Sequence, residues 1–199
     1  MTSMYHADQR ALQDRFDSRR LADRLEAVKV HAALSEADAR FILARDMLFL
    51  ATCDPAGQPT CSFKAGDPGF VSVEDARTLV FPCYDGNGMF LSMGNVAASR
   101  HVGMLFIDLT SPKRLRVNGT ARIEPPDFVA PSFPEAQFVV VVSVREVFPN
   151  CPRYIHQYAL VERSKFVPHD GAVTPVPAWK QMDWARDVLP AGDLARSES

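Results

Sequence analysis

Ten residues in the middle of the chain alternate without a break. Arg114, Arg116, Asn118, Thr120 and Arg122 fall on one side, and Leu115, Val117, Gly119, Ala121 and Ile123 on the other. A period of two is that of a β-strand with one buried face and one wet face, and a helix cannot use it. Further strands are predicted at 47–52, 60–65, 78–83, 101–109 and in the Val-rich run 138–148, making about six. Asp54, Pro55, Ala56 and Gly57 supply the turn of a hairpin, and Gly66, Asp67, Pro68 and Gly69 end its second strand. One internal helix is predicted, running from Met89 through Met93, Val96 and Ala97. Six strands against one internal helix suggest a barrel.

Upstream of the strands the period is helical. Leu12 and Phe16 share one stripe, while Leu21, Leu25 and Val28 would lie on the opposite face of a continuous helix. A break near Asp17 and Ser18 reconciles them, with Ser18 capping a second helix through Val28. Ser35, three residues before Asp38, has the spacing of a capping box and opens a short helix toward Arg45. Residues 1–34 therefore read as a helical arm suited to covering the barrel or another subunit, and residues 35–167 as the barrel domain. Residues 168–199, with Pro175, Pro177 and Pro190, keep no steady period and read as an irregular extension packing on the barrel.

Charge narrows the class of partner. The 22 basic and 24 acidic residues leave a net charge of -2, with both signs scattered, which argues against a nucleic-acid or membrane-surface binder. No apolar run approaches the roughly 18 residues of a membrane span, and the polar start of the chain is unlike a secretory signal. A cytoplasmic protein is expected. The 4 cysteines, Cys53, Cys61, Cys83 and Cys151, have no CxxC spacing and read as reduced thiols. Cys151 with His156 is a weak match to metal-ligand spacing, so no metal is expected. His6, His31, His101 and His169 stand alone and assemble no triad.

Three segments have residues suited to binding an anion or a ring. Asp85-Gly86-Asn87-Gly88 leads into the internal helix, where free N–H groups and the positive dipole end favour phosphate. Ser92, one turn inside, can add a hydroxyl. Asn-Gly is also the leading signal for a tight hairpin turn, which is the alternative reading. In the strand 60–65, Ser62 and Lys64 share one face with Thr60, opposite Cys61, Phe63 and Ala65; this polar face is expected to be solvated, with a ligand cavity as the alternative. Most of the polar row of the strand 115–123 is expected to be solvated. Asn150-Cys151-Pro152-Arg153-Tyr154 follows the Val-rich strand, with Pro152 suited to the first turn of a short helix and Arg153 able to reach an anion. Cys151 has no evident His or Asp partner that would make it a nucleophile.

The order of these segments resembles the pyridoxamine 5'-phosphate oxidase-like family of FMN-binding split-barrel proteins. Phe49 to Pro59 looks like its opening hairpin and Thr60 to Lys64 like its flavin-edge strand. The likeness continues through Leu79 to Met89, Ser99 to Phe106 and Leu115 to Ile123, covering about residues 40–165. It implies a mainly β fold, a six-stranded antiparallel split β-barrel of Greek-key type with an N-terminal helical arm. It also implies a homodimer holding FMN in grooves along the shared interface. Carried over by position, Ser62 and Lys64 flank the flavin; Asn87, Gly88 and Ser92 hold its phosphate; Tyr84 and Asn95 join the cofactor-binding set. Arg114 meets the polar edge of a ring across the interface, and Arg153 approaches the cofactor.

The implied activity is that of an oxidoreductase passing a hydride through flavin N5 between an unknown small substrate, or a reduced nicotinamide, and an acceptor. No residue qualifies as an obligatory general base. The sequence departs from the authentic oxidases at Pro59, Leu91 and Ser92, where they carry an Arg and an Arg-Lys pair. Arg153 or Arg100 could supply the missing phosphate charge. The departure leaves room for a deazaflavin-dependent reductase on the same fold, or for a non-catalytic flavin- or haem-binding module. Trp179, Trp184 and Arg186 do not align safely with the Trp and Arg that those oxidases use for substrate, so vitamin B6 oxidation is not inferred.

Overall fold

The computed structural model describes residues 3–196. The chain divides into two units, Met1–Ala159 and Leu160–Ser199. The first opens with α1 (Ala7–Arg15) and α2 (Arg19–Lys29), and the break between them falls at Asp17, whose φ is 48°. Ser18 stands at the N-cap of α2, yet its hydroxyl donates backward to the Gln13 carbonyl at 3.4 Å and does not cap the helix. The two helices are held together by Arg10 with Asp23 at 2.5 Å and by the Met4 N–H on Glu26 at 2.6 Å. Their apolar stripes stay outside: Leu12, Phe16, Leu21, Leu25 and Val28 are all exposed. At α3 (Glu36–Leu43) the capping box forms as expected, with the Asp38 N–H donating to Ser35 Oγ at 3.2 Å and the Ser35 N–H to the Asp38 carboxylate at 2.9 Å.

Seven strands follow: β1 (Met47–Cys53), β2 (Pro59–Ala65), β3 (Ser72–Asp75), β4 (Thr78–Cys83), β5 (His101–Asp108), β6 (Lys113–Glu124) and β7 (Phe138–Pro149). The sequence suggests six. The extra one is β3, whose four residues are too short to show a period and are mostly polar. All pairings are antiparallel, in the order β2-β1-β5-β6-β7-β4-β3. Seven strands laid flat would put β2 and β3 about 29 Å apart. The loop 66–71 that joins these two edges reaches at most about 24 Å, so the sheet must curl. The curl wraps one core in which Leu48 and Leu50 of β1 share a cluster with Leu79 and Phe81 of β4 and with Met104, Phe106 and Val117. The helix α4 (Leu91–Ser99) adds Met93 and Val96 to that core.

Strand β7 breaks the alternation because Val139, Val140, Val141 and Val142 are all buried. Val140 and Val142 face the main core, whereas Val139 and Val141 meet Val80 under Val129 and Phe133 of the proline-rich loop. A strand covered on both faces reads as a continuous apolar run. The β6–β7 ladder slips by one residue between Asn118 and Gly119. At this bulge a Cβ on Gly119 would lie 2.1 Å from the Ser143 carbonyl oxygen.

The second unit is short and irregular, with a 3-10 turn at Ala178–Gln181, α5 (Asp183–Arg186) and a 3-10 turn at Leu194–Arg196. Inside it Lys180 and Asp193 form an ion pair at 2.6 Å with both side chains buried. Burial pushes the Asp193 carboxyl up, but Lys180 and the Ala195 N–H outweigh it and hold the group below the usual carboxylate range. Trp179 and Trp184 stack nearby at 6.0 Å. Among the described residues no helix is long and apolar enough to cross a membrane.

Two predictions follow from this packing. Gly119→Ala should destabilise the protein by about 2–3 kcal/mol, because the contact is with backbone that cannot step aside. Gly94→Ala, a mid-helix site with open space around it, should instead add about 0.5–1 kcal/mol; urea unfolding midpoints compare the two. The depressed Asp193 carboxyl stabilises the second unit fully above its unfolded pKa of about 4, and that contribution is lost as pH falls through the folded value. Both tryptophans of the chain lie in this unit, so their emission should change on acidification below about pH 4. An emission spectrum constant to about pH 2 would contradict the role of the pair.

Candidate functional site

The polar row of β2 faces inward. Lys64 pairs with Leu48, Ser62 with Leu50 and Thr60 with Thr52, and Leu48, Leu50 and Thr52 are buried. The apolar row faces out, with Cys61 exposed and Phe63 57% exposed. The expectation of a solvated face for Ser62 and Lys64 is therefore reversed. The reason is α4, which covers this edge strand with polar side chains instead of apolar ones. Ser92 Oγ donates to Ser62 Oγ at 3.0 Å, and the Asn95 amide donates to Thr52 at 3.1 Å and to Thr60 at 3.3 Å. Thr52 and Thr60 share a hydrogen bond at 2.9 Å, and Ser99 Oγ donates to the Cys53 carbonyl at 2.8 Å. Ser92, Asn95 and Ser99 recur at helical spacing, a signal from which Thr52 and Thr60 could have been found.

The segment from Asp85 to Gly88 leads into a helix and not into a hairpin. The backbone takes left-handed turns at Gly88 (φ 72°) and Phe90 (φ 47°), and Asn87 accepts the Met89 N–H at 3.0 Å. The Phe90 ring lies 6.2 Å from that of Phe138. The first helical bond runs from the Gly94 N–H to the Phe90 carbonyl at 2.7 Å. The N–H groups of Leu91, Ser92 and Met93 are then without an intrahelical partner, at the positive end of the helix dipole. Helix α4 thus begins three residues after Gly88, which puts Ser92 in its first turn and leaves Asn87 and Gly88 exposed on the approach.

Lys64 shares the inner face of β2 with Ser62 and lies near Cys83, the residue before Tyr84. Burial pushes the Cys83 thiol up and the nearby Lys64 charge draws it down. Burial, and then Asp67, push the Tyr84 hydroxyl up to about 12, so it keeps its proton. One end of the barrel therefore gathers free N–H groups, the hydroxyls of Ser62 and Ser92, and one ammonium. Ser62 accepts from Ser92, which leaves the Ser62 proton free to donate to an anion. The donor set fits a phosphate monoester.

Arg114 and Arg153 belong to a second group. Arg114 pairs with Ile107, on the face of the sheet opposite Lys64, and both arginines act on the exposed Cys151. The Arg153 N–H and its guanidinium lower that thiol's pKa, with a smaller contribution from Arg114. Pro152 starts a turn, closed by the Ile155 N–H on its carbonyl at 3.2 Å, and no helix follows it. The same outer face carries an apolar row, Phe63, Phe49 and Leu105, in which the Phe49 and Phe63 rings meet edge to face at 5.8 Å. Asn150, which opens the candidate segment Asn150–Tyr154, donates its N–H to the Arg114 carbonyl at 3.4 Å.

A putative pyridoxamine 5'-phosphate oxidase from Lactobacillus delbrueckii is 25% identical, with 61% of this chain and 99% of that one covered at a TM-score of 0.47. HupZ of Group A Streptococcus is 16% identical over 63% of this chain and 99% of its own, also at 0.47. The heme storage protein HutZ of Vibrio cholerae is 17% identical over 55% of this chain and 89% of its own, at 0.39. No curated protein matches the sequence. The sequence profile described as pyridoxamine 5'-phosphate oxidase matches residues 34–149, from two residues before α3 to the end of β7 and so more than half of the chain. On that match the chain belongs to the pyridoxamine 5'-phosphate oxidase family.

Proposed function

We propose that this chain binds FMN and works as an oxidoreductase, passing a hydride through flavin N5 between a small organic substrate or a reduced nicotinamide and an acceptor. The reading is carried by the phosphate-compatible donor set, Ser62, Ser92, Lys64 and the first turn of α4, gathered at one place in a member of this family. Bound flavin supplies the two-electron chemistry, and the protein's part is to hold, orient and bias it. Lys64 supplies positive charge beside the hydroxyls. Tyr84, which keeps its proton, can donate a hydrogen bond where a thiolate or carboxylate could not. Four free cysteines, two of them exposed, suit a reducing, cytoplasmic setting.

A homodimer completes the site. Within one copy, Lys64 and Ser62 lie on the inner face of the sheet and Arg114 on the outer face, so one ligand meets both groups only if a second copy brings its own Arg114 to the β2 edge. The outward Phe63, Phe49 and Leu105 give that second copy an apolar surface to cover.

Titration of the full chain with FMN, a deazaflavin and haem tests the cofactor. FMN should bind with one equivalent per chain and in preference to the other two. Lys64→Met should weaken FMN by about tenfold or more, since a charge-assisted hydrogen bond is worth about 1.5–3 kcal/mol. Preference for deazaflavin or haem, or no FMN uptake, would overturn the proposal. For the assembly, light scattering after size exclusion should give a dimer, and Phe63→Glu should shift it to monomer. A Phe63→Glu protein that stays dimeric would remove this face from the interface.

A further inference from the structure

We infer that Phe90 is a positioning residue for the anionic end of the ligand: its ring, seated on Phe138, holds the entry of α4 in a left-handed turn that keeps a curl of backbone N–H groups open to a phosphate. The inference rests on the flavin reading above and adds to it two apolar residues, Phe90 and Phe138, that govern how strongly the phosphate is felt.

Phenylalanine is an unusual residue for this position. Phe90 is the N-cap of α4, with φ 47° and ψ 27°. An N-cap residue is normally extended and carries a short oxygen side chain that accepts an N–H of the first turn. Phe90 is left-handed instead, and its side chain caps nothing. A left-handed backbone is unfavourable for a bulky L-residue and persists only where the surroundings enforce it. Burial does not enforce it, because Phe90 is 48% exposed and Met89 and Leu91 on either side are exposed as well. The restraint is the ring contact. The Phe138 ring lies 6.2 Å away, partly buried against the core. Its backbone is fixed opposite Cys83 at the end of the β4–β7 ladder, beside the Gln137 N–H that donates to the Cys83 carbonyl at 2.9 Å. The segment 84–90 thus leaves the sheet at the strand partner of Phe138 and returns to the ring of Phe138, pinned at both ends by one residue.

This conformation matters for an anion. A left-handed residue next to a right-handed one turns successive N–H groups toward a common point, the nest geometry that binds anions. Phe90 and Leu91, the first residue of α4, form such a pair, so the N–H groups of Phe90, Leu91 and Ser92 line one concave curl at the positive end of the helix. An oxygen-bearing N-cap would take a first-turn donor for itself, whereas phenylalanine has no acceptor and leaves it to a ligand. Ser92, Asn95 and Ser99 hold the helix, and Phe90 holds the turn that enters it. Were Phe90 to relax to the extended backbone usual at an N-cap, the helix would stay and the nest would open. Affinity falls with the fraction of chains in the competent conformation. The loss would fall on the phosphate and not on the ring, which separates it from a general loosening of the fold.

The test compares FMN with riboflavin, which has the same ring and no phosphate, on the full chain. Wild type should prefer FMN by about tenfold or more, as charge-assisted hydrogen bonds to a phosphate require. Phe90→Ala and Phe90→Gly both delete the ring, but only glycine takes the left-handed backbone without steric cost. Phe90→Ala should therefore lower the preference for FMN by about fivefold or more, and Phe90→Gly by less than about twofold. Phe138→Leu, which keeps apolar bulk and removes the ring, should match Phe90→Ala. Riboflavin affinity should hold within about twofold in every variant, which also reports that each one is folded. Equal preferences in Phe90→Ala and Phe90→Gly, or an unchanged preference in Phe90→Ala or Phe138→Leu, would overturn the inference while FMN binding stands. Equal affinity of wild type for FMN and riboflavin would overturn it too, and failure to bind FMN at all would overturn the flavin reading with it.

Discussion

The hydrogen-bonded ladder between α4 and the β1–β2 hairpin is the interaction on which the proposed site depends. Strand β2 is an edge, and an edge strand with a polar inner row has no apolar core to press against. Asn95 solves this by donating to Thr52 and Thr60, while Ser92 reaches Ser62 and Ser99 reaches the Cys53 carbonyl. Each such bond contributes about 0.5–1.5 kcal/mol net, but leaving its buried groups unmade would cost more. The ladder fixes the axis of α4, and the axis fixes where the unpaired N–H groups of Leu91, Ser92 and Met93 converge. Asn95 therefore acts as a strut: its amide donates to both threonines and holds the helix whose first turn the proposed phosphate would meet.

The sheet also divides the polar residues into two sets. Residues opposed across antiparallel strands share a face, so the register alone places Lys64 with Leu48 inside and Arg114 with Ile107 outside. No side-chain rotation moves one set to the other face. A bipolar ligand, anionic at one end and aromatic at the other, is then matched by two different surfaces, and symmetry offers the economical way to bring them together. The site and the dimer become one proposal, in which the apolar Phe49, Phe63 and Leu105 supply the contact and the polar groups set its register.

Much of the fold was legible because alternation survives wherever one strand face is wet. Strands β2 and β6 show in the sequence for that reason, while β1, β4, β5 and β7 show as short apolar runs, and the helix breaks at Asp17 and Ser35 show through opposed apolar stripes and a capping box. Strand β3 was not legible, since four residues carry no period. The orientation of β2 was misread for a more instructive reason. The rule that the apolar face goes inward assumes an apolar neighbour, and here the neighbour is the polar stripe of α4 while Phe63 faces outward. Ser62, Ser92 and Asn95 belong to one hydrogen-bonded ladder, with Lys64 on the same face of β2, and the reason is tertiary.

The distribution of charge bears on what the site can hold. In the authentic oxidases that the sequence resembles, phosphate is met by several basic side chains; here Leu91 and Ser92 stand in the helix where an Arg-Lys pair would be. Hydroxyls and backbone N–H groups can replace hydrogen bonds, but they cannot replace net charge. With Lys64 as the charged member of the donor set, a bound phosphate would be held chiefly through hydrogen bonds, so the orientation that the Ser92 and Asn95 contacts impose on α4 would count for more than net charge.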